Sequence, residues 1–270
     1  MELRGKVSVI TGAGSGIGAS CARAFAAEGA RVVIADRNAD GARTVAAEIG
    51  GLAVECDVRR EDQVGALVAA AEKAYGPVDV FFSNAGIANG SDPLSTPLDV
   101  WQQQWELHVM SHVYAVRAVL PSMLARGSGY LIQTASMAGI LTSQGNCAYA
   151  ATKHAAVGLA EWLAVTYHDR GIRSSLLAPL GVRTPMLGDP TSPFARLAAG
   201  PIKEPDEVAT MVVDAVRDER FLIVTDPLAQ KWIEQKAADP ERWLRGMRRL
   251  QARLEEESAG GPAGGERETR

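Results

Sequence analysis

Short apolar runs recur at intervals along this chain, and helical patterns fill the gaps between them. Lys6–Ile10, Arg31–Asp36, Ala53–Asp57, Val78–Ser83, Tyr130–Thr134, Arg173–Ala178 and Phe221–Thr225 have strand character. Between them, Ile17–Glu28, Ala39–Ile49, Glu61–Tyr75, Thr96–Met123, Tyr149–Asp169 and Pro205–Arg217 have helical spacing. The strand runs are apolar throughout, without polar alternation, as in strands covered on both faces. Alternating strands and helices of this kind predict an α/β fold, a doubly wound parallel sheet with helices on each side. An apolar fraction of 47% over 270 residues supplies material for one core.

One domain is therefore expected over residues 1–257. Its last part, Asp226–Glu257, is a helical extension in which Trp232, Ile233, Trp243, Leu244, Met247, Leu250 and Leu254 form the apolar positions. Ser258–Arg270 is glycine-rich and charged, and is expected to be disordered. Leu187–Glu204, rich in Pro, Gly and Ser, is the one long loop. Following a strand end in such a sheet, it is a candidate lid over a substrate.

A net charge of −4 gives no basic surface for nucleic acid. Cys21, Cys56 and Cys147 are odd in number and lack metal-ligand spacing, so they read as reduced thiols, and no metal site is expected. The first strand begins within about five residues of Met1, and no apolar run is long enough to span a bilayer. These features lead to the expectation of a cytoplasmic protein with no membrane partner.

The first strand runs into Thr11-Gly12-Ala13-Gly14-Ser15-Gly16-Ile17-Gly18 and then an alanine-rich helix. Strand, glycine turn and helix in that order suit a dinucleotide: glycines let the backbone approach a pyrophosphate, and the helix N-terminus presents N–H donors. Asp36 ends the second strand about twenty positions later, placed to accept hydrogen bonds from ribose hydroxyls. The same carboxylate repels a 2′-phosphate, so NAD is favoured over NADP, with Arg37 stacking on or shielding the adenine.

Far from that turn, Tyr149 and Lys153 are spaced i, i+4 and share a helix face, and Ser136 precedes the tyrosine by thirteen residues. An ammonium beside a phenol favours the phenolate, so Lys153 is expected to lower the Tyr149 pKa from its usual value of ~10. A phenol so tuned can exchange a proton with substrate, and Ser136 can hydrogen-bond the same substrate oxygen.

The glycine spacing and the Ser–Tyr–Lys set together resemble the short-chain dehydrogenase/reductase family over about residues 3–225. The resemblance implies a Rossmann-like fold and further binding positions. Asp57-Val58 is similar to the family's adenine-binding pair. Ser83-Asn84-Ala85-Gly86 is similar to its N-N-A-G element, in which the asparagine both holds the sheet and lines the cofactor cleft. Pro179-Leu180-Gly181-Val182-Arg183-Thr184 is similar to P-G-x-V-x-T, in which Val182 and Thr184 would hold the nicotinamide carboxamide. Leu180 replaces the family's glycine, and Gly181 is expected to take over part of its freedom. The family's helix asparagine falls at His108, which is expected either to relay protons, titrating near pH 6.5, or simply to pack. His112 is expected at a helix–helix contact.

The function expected is NAD-dependent hydride transfer between nicotinamide and a secondary alcohol or ketone, Tyr149 exchanging the proton. The alternative is a cofactor-bound sensor or scaffold without turnover. Ala88, Met137, Ala138, Cys147 and Leu187 are expected to line an apolar substrate pocket. Broad apolar faces on Leu107–Met123 and Val157–Tyr167 predict a homodimer or homotetramer.

Overall fold

The computed structural model describes residues 1–259. Seven strands form one parallel sheet: β1 (Val7–Thr11), β2 (Arg31–Asp36), β3 (Leu52–Glu55), β4 (Val80–Ser83), β5 (Gly129–Thr134), β6 (Ile172–Ala178) and β7 (Leu222–Val224). Their order across the sheet is β3-β2-β1-β4-β5-β6-β7, every pair parallel. Helices α1 (Gly16–Ala27), α2 (Ala39–Ile49) and α3 (Glu61–Tyr75) join the first strands. After β4 come α4 (Leu98–Trp105), a π turn (Glu106–Met110) and α5 (Ser111–Arg126); α6 (Ala138–Leu141) and α7 (Cys147–Tyr167) follow β5. Beyond β6 lie α8 (Pro193–Leu197) and α9 (Pro205–Asp218), and beyond β7 lie α10 (Pro227–Ala238) and α11 (Pro240–Ala259).

Successive strand residues point to opposite faces, and the core divides accordingly. Ile10, Ile34, Phe82 and Ile132 face α1 and α9, packing with Phe25, Val208, Val212 and Val216. Their neighbours Val9, Val33, Phe81 and Leu131 face α3 and α5, packing with Leu67, Val68, Val119 and Met123. Both faces are dry, which is why the strand runs carry no polar alternation.

β1 and β4 are neighbours in the sheet but not in the chain. The connections leaving them diverge to opposite faces, which opens a crevice beyond their carboxyl ends. The glycine turn after β1 and the Asn84 element after β4 form its two rims.

Three expectations are corrected. The helix expected as a single piece over Thr96–Met123 is interrupted by the π turn, which carries the buried Leu107, His108 and Val109. The helix expected over Asp226–Glu257 is two helices, because Pro240 drives Asp239 out of the helical region, to φ −151 and ψ 87. Ser258 and Ala259 complete α11 and are not tail; the rest of the expected disordered segment, 260–270, lies outside the described residues. The loop 187–204 also contains the short α8, which the sequence did not announce.

Candidate active site

The crevice holds a cleft of about 560 Å³ that gathers residues from Gly12 to Met186. The first rim is the start of α1, where Ser15 occupies the N-cap position but its side chain makes no capping hydrogen bond. The helix N-terminal N–H groups are therefore left for an acceptor in the cleft. Gly12 lies at φ +63, and a Cβ there would sit 2.7 Å from the Ala85 Cα. Only glycine fits that turn, so the backbone of β1 can lie directly against the Asn84 segment.

Asn84 splices the sheet at this point. Its Nδ2 donates to the Thr11 carbonyl at 3.1 Å, and its Oδ1 accepts from the Thr134 hydroxyl at 3.1 Å. Thr11 Oγ1 in turn accepts from the Asn84 and Ala85 amides at 3.0 and 3.2 Å. One side chain thereby ties β1, β4 and β5 together while facing the cleft. Thr11, Gly14, Gly18 and Val182 stand behind the cleft wall, whereas Gly12, Ser15, Gly16, Ile17, Ala85, Gly86, Pro179 and Thr184 form it.

At one end of the cleft lie two carboxylates. Asp36 accepts from the Gly14 amide and the Asn38 amide, each at 2.9 Å, one on each carboxylate oxygen. Asp57 is gripped by Arg59, whose Nε and Nη2 approach within 3.0 and 2.5 Å, and this hydrogen-bonded guanidinium holds the carboxyl below its ordinary range. Val58 lines the cleft beside them, and Arg37 adds a second cation near Asp57. Arg59 was missed in the sequence; its spacing two residues after Asp57 was visible, but nothing indicated that it would fold back.

At the other end, α7 begins at Asn146, whose Oδ1 accepts from the Tyr149 amide at 3.0 Å. This cap places Tyr149 in the first turn of α7 and Lys153 one turn deeper. Lys153 Nζ lies 5.6 Å from the centre of the Tyr149 ring and donates to the Thr134 carbonyl at 2.9 Å. Ser136, just beyond β5, accepts from the Ala138 amide at 3.1 Å, and its hydroxyl lies near enough to the Tyr149 phenol to pull that group's pKa down. The three side chains are therefore brought together as their spacing predicts.

Their electrostatics differ from the expectation. Burial pushes the Tyr149 phenol above its usual pKa, and the nearby Ser136 hydroxyl offsets only part of that. Burial also lowers the Lys153 ammonium from 10.5 to about 7. Desolvation favours the neutral form of each group, and it outweighs the lowering of the phenol that the sequence suggested.

His108 also departs from its expected titration. Its Nε2 accepts from the Ile87 amide at 3.1 Å, so the proton resides on Nδ1, which lies 2.9 Å from Thr152 Oγ1. The Thr152 hydroxyl donates to the Ala148 carbonyl at 2.9 Å, leaving its lone pair for that proton. Burial and the neighbouring Lys153 hold the ring well below 6.5, so it is neutral near pH 7. The His108 and Tyr149 rings lie perpendicular to each other, their centres 5.4 Å apart. The imidazole thus clamps the π turn to the loop after β4 and to α7. His112, one turn on, is also buried and held neutral, its pKa falling to about 3.

Neither Leu180 nor Gly181 takes a positive φ, so no glycine-type freedom is needed or transferred. Leu180 instead packs with Met137, Trp232 and Trp243 under the C-terminal helices. Of the expected substrate residues, Ala88 lines the cleft, Met137 and Ala138 are buried behind it, and Cys147 is exposed. Ile87, Gln103, Pro185 and Met186 line the cleft as well. No group of side chains able to hold a metal occurs among the described residues.

The family described as short chain dehydrogenase matches residues 6–193. A 2,5-dichloro-2,5-cyclohexadiene-1,4-diol dehydrogenase of Sphingobium indicum is 37% identical over 190 residues, covering 69% of this chain and 76% of that protein. A 1-deoxy-11-beta-hydroxypentalenate dehydrogenase of Streptomyces exfoliatus is 35% identical over 235 residues, covering 84% and 85%. The crystal structure of a short chain dehydrogenase/reductase from Burkholderia phymatum in complex with NAD superposes with a TM-score of 0.82 at 30% identity, covering 89% of this chain and 96% of that one.

The clamp geometry makes a prediction for His108→Asn. The rate-against-pH profile should keep its shape, because the imidazole does not titrate near neutrality. The melting temperature should fall, by an amount equivalent to about 1–3 kcal/mol, since an amide is too short to serve both Ile87 and Thr152. Loss of an ionisation near pH 6.5 in the variant would restore the relay role.

Proposed function

Because the chain belongs to the short chain dehydrogenase family, and with it to the NAD(P)-dependent alcohol dehydrogenases and carbonyl reductases, we propose that it uses NAD to interconvert a secondary alcohol and its ketone. The observation that carries this reading is the convergence of two distant segments. Tyr149 and Lys153, with Ser136 beside the tyrosine, stand at one end of the same cleft whose rim is the uncapped start of α1.

The cleft fits a nicotinamide dinucleotide. Free N–H groups at the α1 N-terminus suit a pyrophosphate, and Gly12 and Gly16 leave room where side chains would intrude. Asp36 and Asp57 offer acceptors at the adenosine end, while Val182 and Thr184 would hold the carboxamide. When bound, the nicotinamide ring accepts or supplies the hydride.

The chain's own residues handle the proton and the oxygen. Ser136 donates a hydrogen bond to the substrate oxygen and fixes its distance from Tyr149. In ketone reduction the Tyr149 phenol gives its proton to that oxygen; in alcohol oxidation the phenolate takes it. Lys153, when charged, stabilises the phenolate and holds the nicotinamide ribose. His108 positions α7 and does not itself exchange the proton. The walls beyond Tyr149 include Ile87, Ala88, Leu107 and Met186, which favour an apolar substrate.

The raised Tyr149 pKa sets the pH dependence. Near pH 7 the phenol is protonated, the form that reduction needs. Reduction should therefore be fast at neutral pH and decline in alkali, while oxidation should rise with pH as the phenolate becomes populated. Tyr149→Phe should lower both by about 10²–10⁴-fold with NAD affinity retained. Equal turnover in the variant, measured by NADH absorbance, would remove Tyr149 from the proton transfer.

Asp36 supports NAD over NADP: it lines the cleft, and its anion would repel a 2′-phosphate bound there. Asp36→Ala should weaken NAD and improve NADP in kcat/KM comparisons, with Arg37 then free to meet the phosphate. A wild-type enzyme already faster with NADP would overturn this choice.

A homo-oligomer built on α5 and α7 is proposed from their uncovered apolar side chains. Trp162 is 56% exposed and Val165 is 84% exposed on α7. Tyr114, Leu120, Leu124 and Tyr167 line a shallow cavity between the two helices and α3. Light scattering at micromolar concentration should give a dimer or tetramer mass, and Trp162→Glu should shift it toward the monomer. Among the described residues no helix is long and apolar enough to cross a membrane.

A further inference from the structure

The family match ends at residue 193, yet the chain continues through α10 and α11, and these helices do not simply trail away. Their apolar side chains meet the substrate end of the cleft from behind. Trp232, Ile233 and Trp243 share one cluster with Met137, Ile140 and Leu141, which follow Ser136, and with Leu180 of the Val182–Thr184 loop. Lys236 donates to the Ile140 carbonyl, and Gln144 lies against the Met247 sulfur at 3.7 Å. Both walls flanking the Tyr149–Ser136 pair are therefore backed by the extension.

The loop between β6 and α9 is held at two points by the same helices. At its far end Gly200 turns at φ +68, with Leu180 and Trp232 packed where a side chain would stand, 3.0 and 3.4 Å from the ideal Cβ. In its middle, α8 lies against α11, and Arg196 pairs with Glu257. The near end of this loop carries Pro185 and Met186, which line the cleft. A loop of this length after a strand end would otherwise be mobile. Here Trp243, Met247, Leu250 and Leu254 recur every three or four residues and turn toward the domain, leaving Arg242, Arg245, Arg249 and Arg253 outside.

We propose that α10 and α11 fix the β6–α9 loop in place and thereby set the size of substrate the enzyme accepts, with Arg196, Met247 and Glu257 as positioning residues for selectivity. This rests on the alcohol dehydrogenase reading above. The helices touch neither the glycine turn nor the Asp36 end, and the Val182 segment is held by its own bridge to Lys203, so lifting α11 acts on substrate fit and leaves NAD binding nearly unchanged.

The test uses the full-length chain and three probes of rising bulk: 2-propanol, cyclohexanol and 2-octanol. Arg196→Glu, Glu257→Arg and the double exchange probe the ion pair; Met247→Glu with Leu250→Glu lifts α11. The lifted variant should change KM for cyclohexanol and 2-octanol relative to 2-propanol by about five-fold or more, equivalent to about 1 kcal/mol. Values of kcat and NAD affinity should stay within about two-fold. The single charge variants should move the ratio less, as an exposed pair does, and the double exchange should restore it. Amide hydrogen exchange over 187–204 should quicken in the lifted variant, and this readout needs no turnover. If no probe alcohol is oxidised by the wild type, the activity reading fails and the exchange measurement still decides the loop. Unchanged exchange, an unchanged KM ratio, or a loss of NAD affinity in step with KM would each overturn the proposal.

Discussion

Everything else in this molecule depends on the parting of two hydrogen-bonded neighbours, β1 and β4. They run side by side through Phe82, then their chains leave for opposite faces of the sheet. A gap between strand ends would expose backbone groups that no ladder satisfies. The Thr11–Asn84–Thr134 hydrogen bonds close that gap from below without filling it. The cleft is thus a consequence of topology, and a few short polar side chains keep its floor rigid.

Putting Lys153 beside that floor costs stability. Its pKa is lowered from 10.5 to about 7, so between those values the unfolded chain binds a proton that the folded chain does not. A base with a depressed folded pKa favours unfolding where the unfolded form is charged, so its adverse contribution is largest near and below pH 7 and fades toward pH 10.5. His108 and His112 limit the damage by remaining neutral next to the ammonium. Two protonated imidazoles at those positions would make the same burial far more costly.

The sequence was most legible where function and local backbone coincide. The i, i+4 spacing of Tyr149 and Lys153 needs only a helix, which the structure supplies from the Asn146 cap onward. Asn84 carried its double role in a four-residue element. Legibility failed where the outcome depends on segments far apart in the chain. The titration of His108 is decided by burial and by Lys153, the environment of Leu180 by Trp232, and the direction of the Tyr149 shift by desolvation of its phenol. The break at Asp239 was a local signal, a proline within the pattern, that the apolar spacing of Asp226–Glu257 obscured.

Asn84 also bears on how the protein is made. Its side chain joins residues 73 positions upstream and 50 downstream, and the cleft it anchors takes further walls from α7 and from Pro179 to Met186. A nascent chain that has emerged only as far as α4 has its complete glycine turn but no pocket. Long-range pairing of this kind folds slowly, because loop closure must precede the contacts that reward it. A dinucleotide therefore has nothing to grip until β5, β6 and α7 have docked, and its binding energy acts on the assembled state alone. Cofactor supply in the cell would then govern how long the finished protein survives, and not how quickly it forms.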